Sequence, residues 1–303
     1  MIKEYNFTVD KTGSNLRIDL YLKEKIKEFS RSQIQRWMRL GGVLLNGNTA
    51  SPAAALKGGD QIKIHIPQEE IRLVPEKIPL DILYEDASLL VLNKPAGLVT
   101  HPGFGNKKGT LANAVAYYLK QWVTDTHCFS RMGLAHRLDK ETSGAIVVAK
   151  NSSALTHLTQ SFKDHLVKKV YRTIVCGSMK LSQGEIEGSI GRKYRSTQME
   201  IAASGRYAKT DFKVLKKFKD YTYLEVYPKT GRTHQIRLHL AKIGYPILGD
   251  KTYGLKEPLI SRQMLHAYSI SFLHPVKKKP FHVTAPLPTD FKEILKSLEN
   301  KAA

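Results

Sequence analysis

His136-Arg137-Leu138-Asp139-Lys140-Glu141-Thr142-Ser143-Gly144 runs without a break into Ala145-Ile146-Val147-Val148-Ala149. The first part is a charged loop, and the second is a short apolar run rich in β-branched residues. Such a run, following glycine, reads as a strand buried on both faces. Asp139 therefore stands one loop ahead of the core, between Arg137 and Lys140, where neighbouring positive charge favours the carboxylate anion. An anion so placed suits nucleophilic or general-base chemistry. An isolated loop aspartate more often closes a turn or a salt bridge, so its weight depends on what surrounds it.

From Leu80 on, short apolar runs alternate with helical patterns. Strands are expected at Ile82 to Tyr84, Leu89 to Leu92, Ala145 to Ala149, Val170 to Cys176, Phe212 to Leu215, Tyr221 to Tyr227 and Ile270 to Leu273. Helices are expected at Leu111 to Gln121, Ala154 to Lys163 and His234 to Lys242, the last stopped by Gly244 and Pro246. Several strands meet without crossover helices, which predicts an α+β fold with a mixed, largely antiparallel central sheet. Lys277-Lys278-Lys279 reads as an exposed turn.

Before this region, residues 14–67 form a small α+β module in the sequence, 68–79 a proline-containing linker, and 80–298 the larger domain. Leu16, Leu20, Tyr21 and Ile26 suit one helix, and Ser30-Arg31-Ser32-Gln33 has the form of a capping box opening a second. That second helix carries Arg31, Arg36 and Arg39 beside Ile34, Trp37 and Leu40. Asn46-Gly47 predicts a tight hairpin turn, and Ile62, Ile64 and Ile66 share one face of the strand that follows. Leu16 to Ile66 holds nine basic and four acidic residues, a net +5.

The whole chain has 303 residues, with 48 Lys and Arg against 27 Asp and Glu, a formal charge of +21. That length admits one large domain or one large and one small, and so strong a positive balance makes nucleic acid the leading partner, since lysines and arginines displace counterions from a polyanion. No window approaches the roughly 20 apolar residues of a membrane span. The amino terminus has no apolar signal core, so export is not expected and the cytoplasm is the expected location. Cys128 and Cys176 form no C-x-x-C pair, arguing against a disulfide framework or a thiolate metal site. Cys176 reads as buried packing. His234 and His239, five apart, point to different helical faces and are a poor metal pair. Neither a phosphate-binding G-x-x-x-x-G-K-[ST] loop nor a G-x-G-x-x-G turn after a strand is present.

The nonapeptide His136 to Gly144 closely resembles the signature of the RluA family of pseudouridine synthases. Two further segments agree in order: Asn93-Lys94-Pro95-Ala96-Gly97-Leu98-Val99-Thr100-His101-Pro102, and Pro228 to His239, which reads PKTGRTHQIRLH. Gly249-Asp250-Lys251-Thr252-Tyr253-Gly254 and Leu265-His266-Ala267 also match. The arrangement is most similar to the RluD subgroup, and the amino-terminal module resembles the S4-type RNA-binding domain through Ser30 to Gln35, Gly42 to Gly47 and Gly59-Asp60.

This resemblance implies isomerisation of uridine to pseudouridine in structured RNA, with large-subunit ribosomal RNA the first choice and transfer RNA the alternative. It implies Asp139 as catalytic residue, Arg232 as its arginine partner and Tyr171 as the ring on which the uracil stacks. It also implies that Leu265 walls the base pocket, that His136 and Arg137 shape the loop or touch RNA, and that Arg31, Arg36 and Arg39 bind RNA. No metal or cofactor is implied, and a monomer is expected. A glycosidase using Asp139 and Glu141 is disfavoured, because neighbours two apart in a loop diverge. A non-catalytic RNA-binding assembly factor would require the loss of Asp139, Tyr171 or Arg232.

Overall fold

The computed structural model describes residues 4–26, 29, 31–65, 73–103, 105–119, 132–193, 196, 198–254 and 260–300. The chain divides into two compact units, Met1–Arg72 and Leu73–Ala303.

The first unit is a four-stranded antiparallel sheet with two helices. Its elements are β1 (Glu4–Thr8), α1 (Ile18–Lys25), α2 (Arg31–Arg39), β2 (Val43–Leu45), β3 (Asn48–Thr49) and β4 (Gln61–His65). The strand order is β1-β4-β2-β3. Edge strand β1 lies ahead of residue 14, the expected start of the module, and pairs with β4 along its whole length. Asn46 and Gly47 both have positive φ, 51° and 84°, as the tight turn between β2 and β3 demands.

The helix faces differ from the expected ones. Ile18, Tyr21, Leu22 and Ile26 are buried with Ile34 and Met38 against Ile62 and Ile64, while Leu16 and Leu20 are exposed. The reason is the start of α1: it begins at Ile18, with Arg17 as its N-cap, so the inward stripe falls on 18, 21 and 22. Leu40 is likewise exposed, beyond the end of α2. Ser30, Ile66 and Pro67 lie outside the described residues, and the expected capping box with them.

In the second unit the elements are β5 (Ile82–Glu85), β6 (Leu89–Lys94), α3 (Leu111–Leu119), β7 (Ser143–Ala149), α4 (Ser152–Lys163), β8 (Lys168–Cys176), β9 (Gln183–Arg192), β10 (Met199–Ile201), β11 (Arg206–Lys217), β12 (Tyr221–Pro228), α5 (Gln235–Lys242), β13 (Leu265–Leu273), β14 (Pro280–Thr284) and α6 (Thr289–Asn300). They build a ten-stranded sheet in the order β10-β9-β11-β12-β8-β13-β7-β6-β5, with β14 paired to β13. Among the described strands every pairing is antiparallel except β13 with β7.

All seven residues of β7 are buried, as its sequence predicts for a central strand. Its one parallel neighbour requires close backbone approach: Gly144 has φ +114°, and a Cβ there would lie 2.2 Å from the Ala267 carbonyl oxygen. Only glycine fits. Because β7 and β13 run in the same direction, the loop before β7 and the start of β13 emerge together. Lys277–Lys279 lies in the exposed turn between β13 and β14, and Cys176 is buried. Gln121 and Cys128 fall outside the described residues. Among those described, no helix is long and apolar enough to cross a membrane.

Candidate active site

The loop carrying Asp139 is fixed from below by the NKPAGLVTHP segment. Lys94 is wholly buried at the end of β6, and its ammonium donates to the carbonyls of Pro95 (2.8 Å), Leu98 (2.8 Å) and Lys140 (3.1 Å). Gly97 N–H donates to the Lys140 carbonyl, and Thr100 Oγ1 to that of Leu138 at 2.7 Å. From the β13 side, Gln263 donates to Thr142 Oγ1 at 2.7 Å and Ser143 Oγ meets His266 Nδ1 at 2.9 Å. Burial pushes the Lys94 ammonium down to about 7, against the opposing pull of Glu141 and Asp139. Lys94→Met should cost about 2 kcal/mol, since the Pro95 and Leu98 carbonyls lose their lysine donor while Lys140 keeps Gly97. A lowered urea midpoint at unchanged slope is the expected readout.

Asp139 itself opens onto a cleft of about 390 Å³, lined by Arg137, Tyr171, Lys169, Arg232, His234 and Leu265 among others. That volume is in the range of small-ligand sites. The Asp139 side chain is 20% exposed, so its carboxylate faces the cleft without being open to bulk water. Tyr171, on β8, and Leu265, at the start of β13, form an apolar wall. Burial, and then the nearby Asp139 charge, push the Tyr171 phenol above its ordinary value, so it is a neutral ring at physiological pH.

The arginine that meets Asp139 is Arg237, not the expected Arg232. Arg237 Nη1 donates to Asp139 Oδ2 at 3.1 Å. Its other edge forms a two-point pair with buried Asp250, Nε to Oδ2 at 2.7 Å and Nη2 to Oδ1 at 2.8 Å. Burial disfavours the Arg237 cation, but bonds to Asp250 and then Asp139 outweigh it and raise its pKa. Asp250 also accepts from the N–H groups of Thr252 and Tyr253, which sets it rigidly. Arg232 instead lines the rim, donating from Nε to the Tyr207 carbonyl at 3.0 Å. The physical reason is helix geometry. Arg232 precedes α5 in a loop held by Gln235, whose Oε1 accepts from Thr230 Oγ1 and Arg232 N–H. Arg237 lies within the first turn of α5, where the side chains of Gln235 to Leu240 are all buried.

The remaining expected residues divide. His136 accepts from Val147 N–H at 2.9 Å through Nε2 and stacks on Phe162, ring centroids 4.6 Å apart. Burial, then Lys169, push it down to about 3, so it is a neutral imidazole that shapes the loop. Arg137 is exposed at the mouth of the cleft. His234 Nε2 comes within 3.8 Å of Asp139, but burial outweighs the pull of that carboxylate and lowers the imidazole pKa, so at neutral pH this is a polar approach and not a charge pair. Arg31, Arg36 and Arg39 are exposed on α2 of the first unit. Lys94, Arg237 and Asp250 hold the site together, although their motifs alone assign them no role. An arginine between Ile236 and Leu238 in a helix that ends in a Gly-Pro stop is the signal for Arg237, because a buried guanidinium needs a carboxylate.

This cleft presents the Asp139 carboxylate backed by an arginine, an aromatic and aliphatic wall, and a cationic lining of Arg137, Lys163, Lys169, Arg206 and Arg232. It suits a flat polar ring carried on an anionic chain. Residues 88–242 match the family described as RNA pseudouridylate synthase, and residues 16–62 match the S4 domain. The chain is 39% identical to a Xylella fastidiosa protein named ribosomal large subunit pseudouridine synthase D, over 98% of this chain and 93% of that one. It is 40% identical to a Buchnera aphidicola protein of the same name, over 93% of this chain and 94% of that one. Among solved structures, human RNA Pseudouridylate Synthase Domain Containing 4 superposes with a TM-score of 0.60 at 24% identity, covering 72% of this chain and 93% of that one, a likeness of fold. Sequence, fold and cleft agree, and the chain belongs to the RNA pseudouridylate synthase family, RNA isomerases, with an S4 domain at its amino-terminal end.

Proposed function

We propose that this chain converts specific uridines of large-subunit ribosomal RNA to pseudouridine, with Asp139 as catalytic carboxylate. The observation that carries the assignment of Asp139 is its ion pair with Arg237 at the floor of a cleft walled by Tyr171 and Leu265. The ribosomal substrate rests on the names of the relatives that align over nearly the whole chain. Residues 14–67 would be the S4-type RNA-binding domain, 68–79 a linker and 80–298 the catalytic domain, in a cytoplasmic monomer.

In the reaction the bond from ribose C1′ to the base nitrogen breaks, the uracil turns, and C1′ bonds to base carbon C5. The C5 hydrogen leaves and the freed nitrogen gains one, so product and substrate are isomers. Asp139 meets the sugar or base, Arg237 aims its carboxylate, and Tyr171 supplies the face on which the ring stacks. A stacked uridine must be extruded to reach this floor, at a cost of a few kcal/mol offset by contacts to flanking RNA. Arg137 and Arg232 at the rim would meet phosphates on either side, with the half-buried Lys169 inside the cleft.

Mapping pseudouridine in ribosomal and transfer RNA of cells with and without the gene tests the substrate. Loss at large-subunit positions is expected, and loss confined to transfer RNA would overturn the ribosomal assignment. A pH dependence follows inside the cleft. Burial, and then Arg232, push the Lys169 ammonium down to about 8. It is a cation below that pH and neutral above it, so RNA affinity should fall as pH rises through about 8. Lys169→Met should weaken binding at pH 7 and flatten that fall, as read by filter binding across pH.

A further inference from the structure

His234 immediately precedes α5 with φ 55° and ψ 20°, a left-handed conformation that residues other than glycine adopt sparingly. Such a conformation persists where the surroundings hold it. Here the imidazole is held through Nδ1, which lies 2.8 Å from Tyr253 Oη. Tyr253 is itself fixed three ways. Its N–H donates to Asp250 Oδ1 at 3.1 Å, its Oη accepts from Met199 N–H at 3.1 Å, and its ring lies 5.1 Å from the Arg237 guanidinium.

These contacts assign the tautomer. The Tyr253 oxygen already receives the Met199 N–H, and among the described residues the acceptor for its own hydrogen is His234 Nδ1. Nδ1 therefore presents a lone pair, and Nε2 carries the hydrogen. Burial disfavours the imidazolium, and with Arg237 and Arg137 it outweighs the pull of Asp139 and Asp250, so the ring is neutral at neutral pH. His234 lines the cleft, and its Nε2 lies 3.8 Å from Asp139 Oδ2, too far for a hydrogen bond. A substrate atom about 3 Å from Oδ2 can also lie about 3 Å from Nε2. Arg237 is engaged elsewhere, since all three of its nitrogens already donate to Asp250 and Asp139.

We propose that His234 is a further catalytic residue, a neutral imidazole whose Nε2–H donates to a carbonyl oxygen of the uracil as the glycosidic bond breaks, with Tyr253 as the positioning residue that fixes its tautomer. This rests on the reading that the chain isomerises uridine with Asp139. When the bond from C1′ to the base nitrogen breaks, its electron pair stays with the base, and the negative charge spreads to the conjugated carbonyl oxygens. C1′ is left a pair short, and the pair returns when C5 bonds to it. His234 keeps its hydrogen throughout, so the atoms balance without it. A neutral imidazole can polarise a carbonyl in this way, and a donor set before the charge develops costs no reorganisation.

The test uses the full-length protein and large-subunit ribosomal RNA transcripts in single-turnover reactions. His234→Asn tolerates the left-handed backbone, but its shorter amide does not reach the Nε2 position. It should lower the rate by about 10²-fold while RNA affinity stays within about twofold of wild type. Transcripts made with 2-thiouridine or 4-thiouridine give a readout that a merely structural role would not move, since sulfur is a weak hydrogen-bond acceptor. At the oxygen that meets Nε2, sulfur should slow wild type about tenfold more than it slows His234→Asn. Nitrogen-15 spectra of the wild-type histidine rings should show the His234 hydrogen on Nε2. Tyr253→Phe should let the Nδ1–H form appear and slow the reaction by at least about tenfold.

Thermal melting reports whether each variant is folded. If His234→Asn is not, the Tyr253→Phe rate and the wild-type tautomer decide, and a wild-type rate in Tyr253→Phe overturns the proposal. A folded His234→Asn within about twofold of the wild-type rate also overturns it, as does an Nδ1–H ring in wild type. Equal sulfur effects in wild type and His234→Asn at both positions do the same. If wild type turns over and these variants match it, the role of His234 alone fails. If wild type binds the transcript but forms no pseudouridine, the isomerase reading falls and the role of His234 with it.

Discussion

Asp139→Asn is expected to lower the single-turnover rate by about 10⁴-fold or more while RNA affinity stays within about twofold of wild type. Amide for carboxylate is nearly isosteric, so the cleft, the Tyr171 wall and the cationic rim should persist. What disappears is the anionic oxygen pair that Asp139 presents to the cleft. Arg237 would lose a charged acceptor but keep its two-point pair with Asp250, so the fold should lose little. Chromatography of nucleosides from a single-turnover reaction gives the rate, and filter binding gives the affinity. A variant that converts uridine at a rate within tenfold of wild type would remove Asp139 from the chemistry.

The second large effect separates two arginines only five positions apart. Arg237→Met should reduce the rate by about 10²-fold or more and destabilise the protein by about 3–5 kcal/mol, because it leaves Asp250 buried without its counter-charge. Asp250 is 1% exposed, and its carboxyl is held below the ordinary value by Arg237 against the opposing effect of burial. The sign of the pH effect follows. A carboxylate with a depressed folded pKa contributes stability above its unfolded value near 4, and that stability is lost as pH falls through the folded value. Wild type should therefore weaken more steeply in acid than Arg237→Met, whose Asp250 no longer gains from the pair. Arg232→Met should leave stability within about 0.5 kcal/mol, since its side chain bonds a surface carbonyl, and should act mainly on RNA affinity. Equal losses of rate and stability in the two variants would return the pairing role to Arg232.

The contrast between these arginines shows where the sequence was legible. Strand β7 could be read directly, because an unbroken β-branched run has few other homes, and Gly144 beside it marks the close approach to β13. The helix at α5 was equally visible from its Gly244-Pro246 stop. Choosing between Arg232 and Arg237 required knowing that one stands on a loop before the helix and the other in its buried first turn, a distinction of burial and not of motif. Strand β9 went unread for a different reason. Gln183–Arg192 is polar and holds three glycines, yet at Gly184 a Cβ would sit 2.9 Å from the Phe212 ring, so the missing side chain is what lets β11 pack there. Helix α6 was readable in principle: Phe291, Ile294, Leu295 and Leu298 follow helical spacing, and all four meet one core cluster. In α1 the stripe was displaced because Leu16 and Leu20 share a spacing with the true inward residues, and only the helix start at Ile18 decides between them.

The most direct test of the account is tritium release from a large-subunit ribosomal RNA transcript labelled at uracil C5, the carbon that must lose its hydrogen when ribose moves onto it. Wild-type protein should release tritium to a whole-number plateau per transcript, and Asp139→Asn should release none above background over the same time. Equal release by both proteins, or none by either on a transcript that wild type binds, would contradict it.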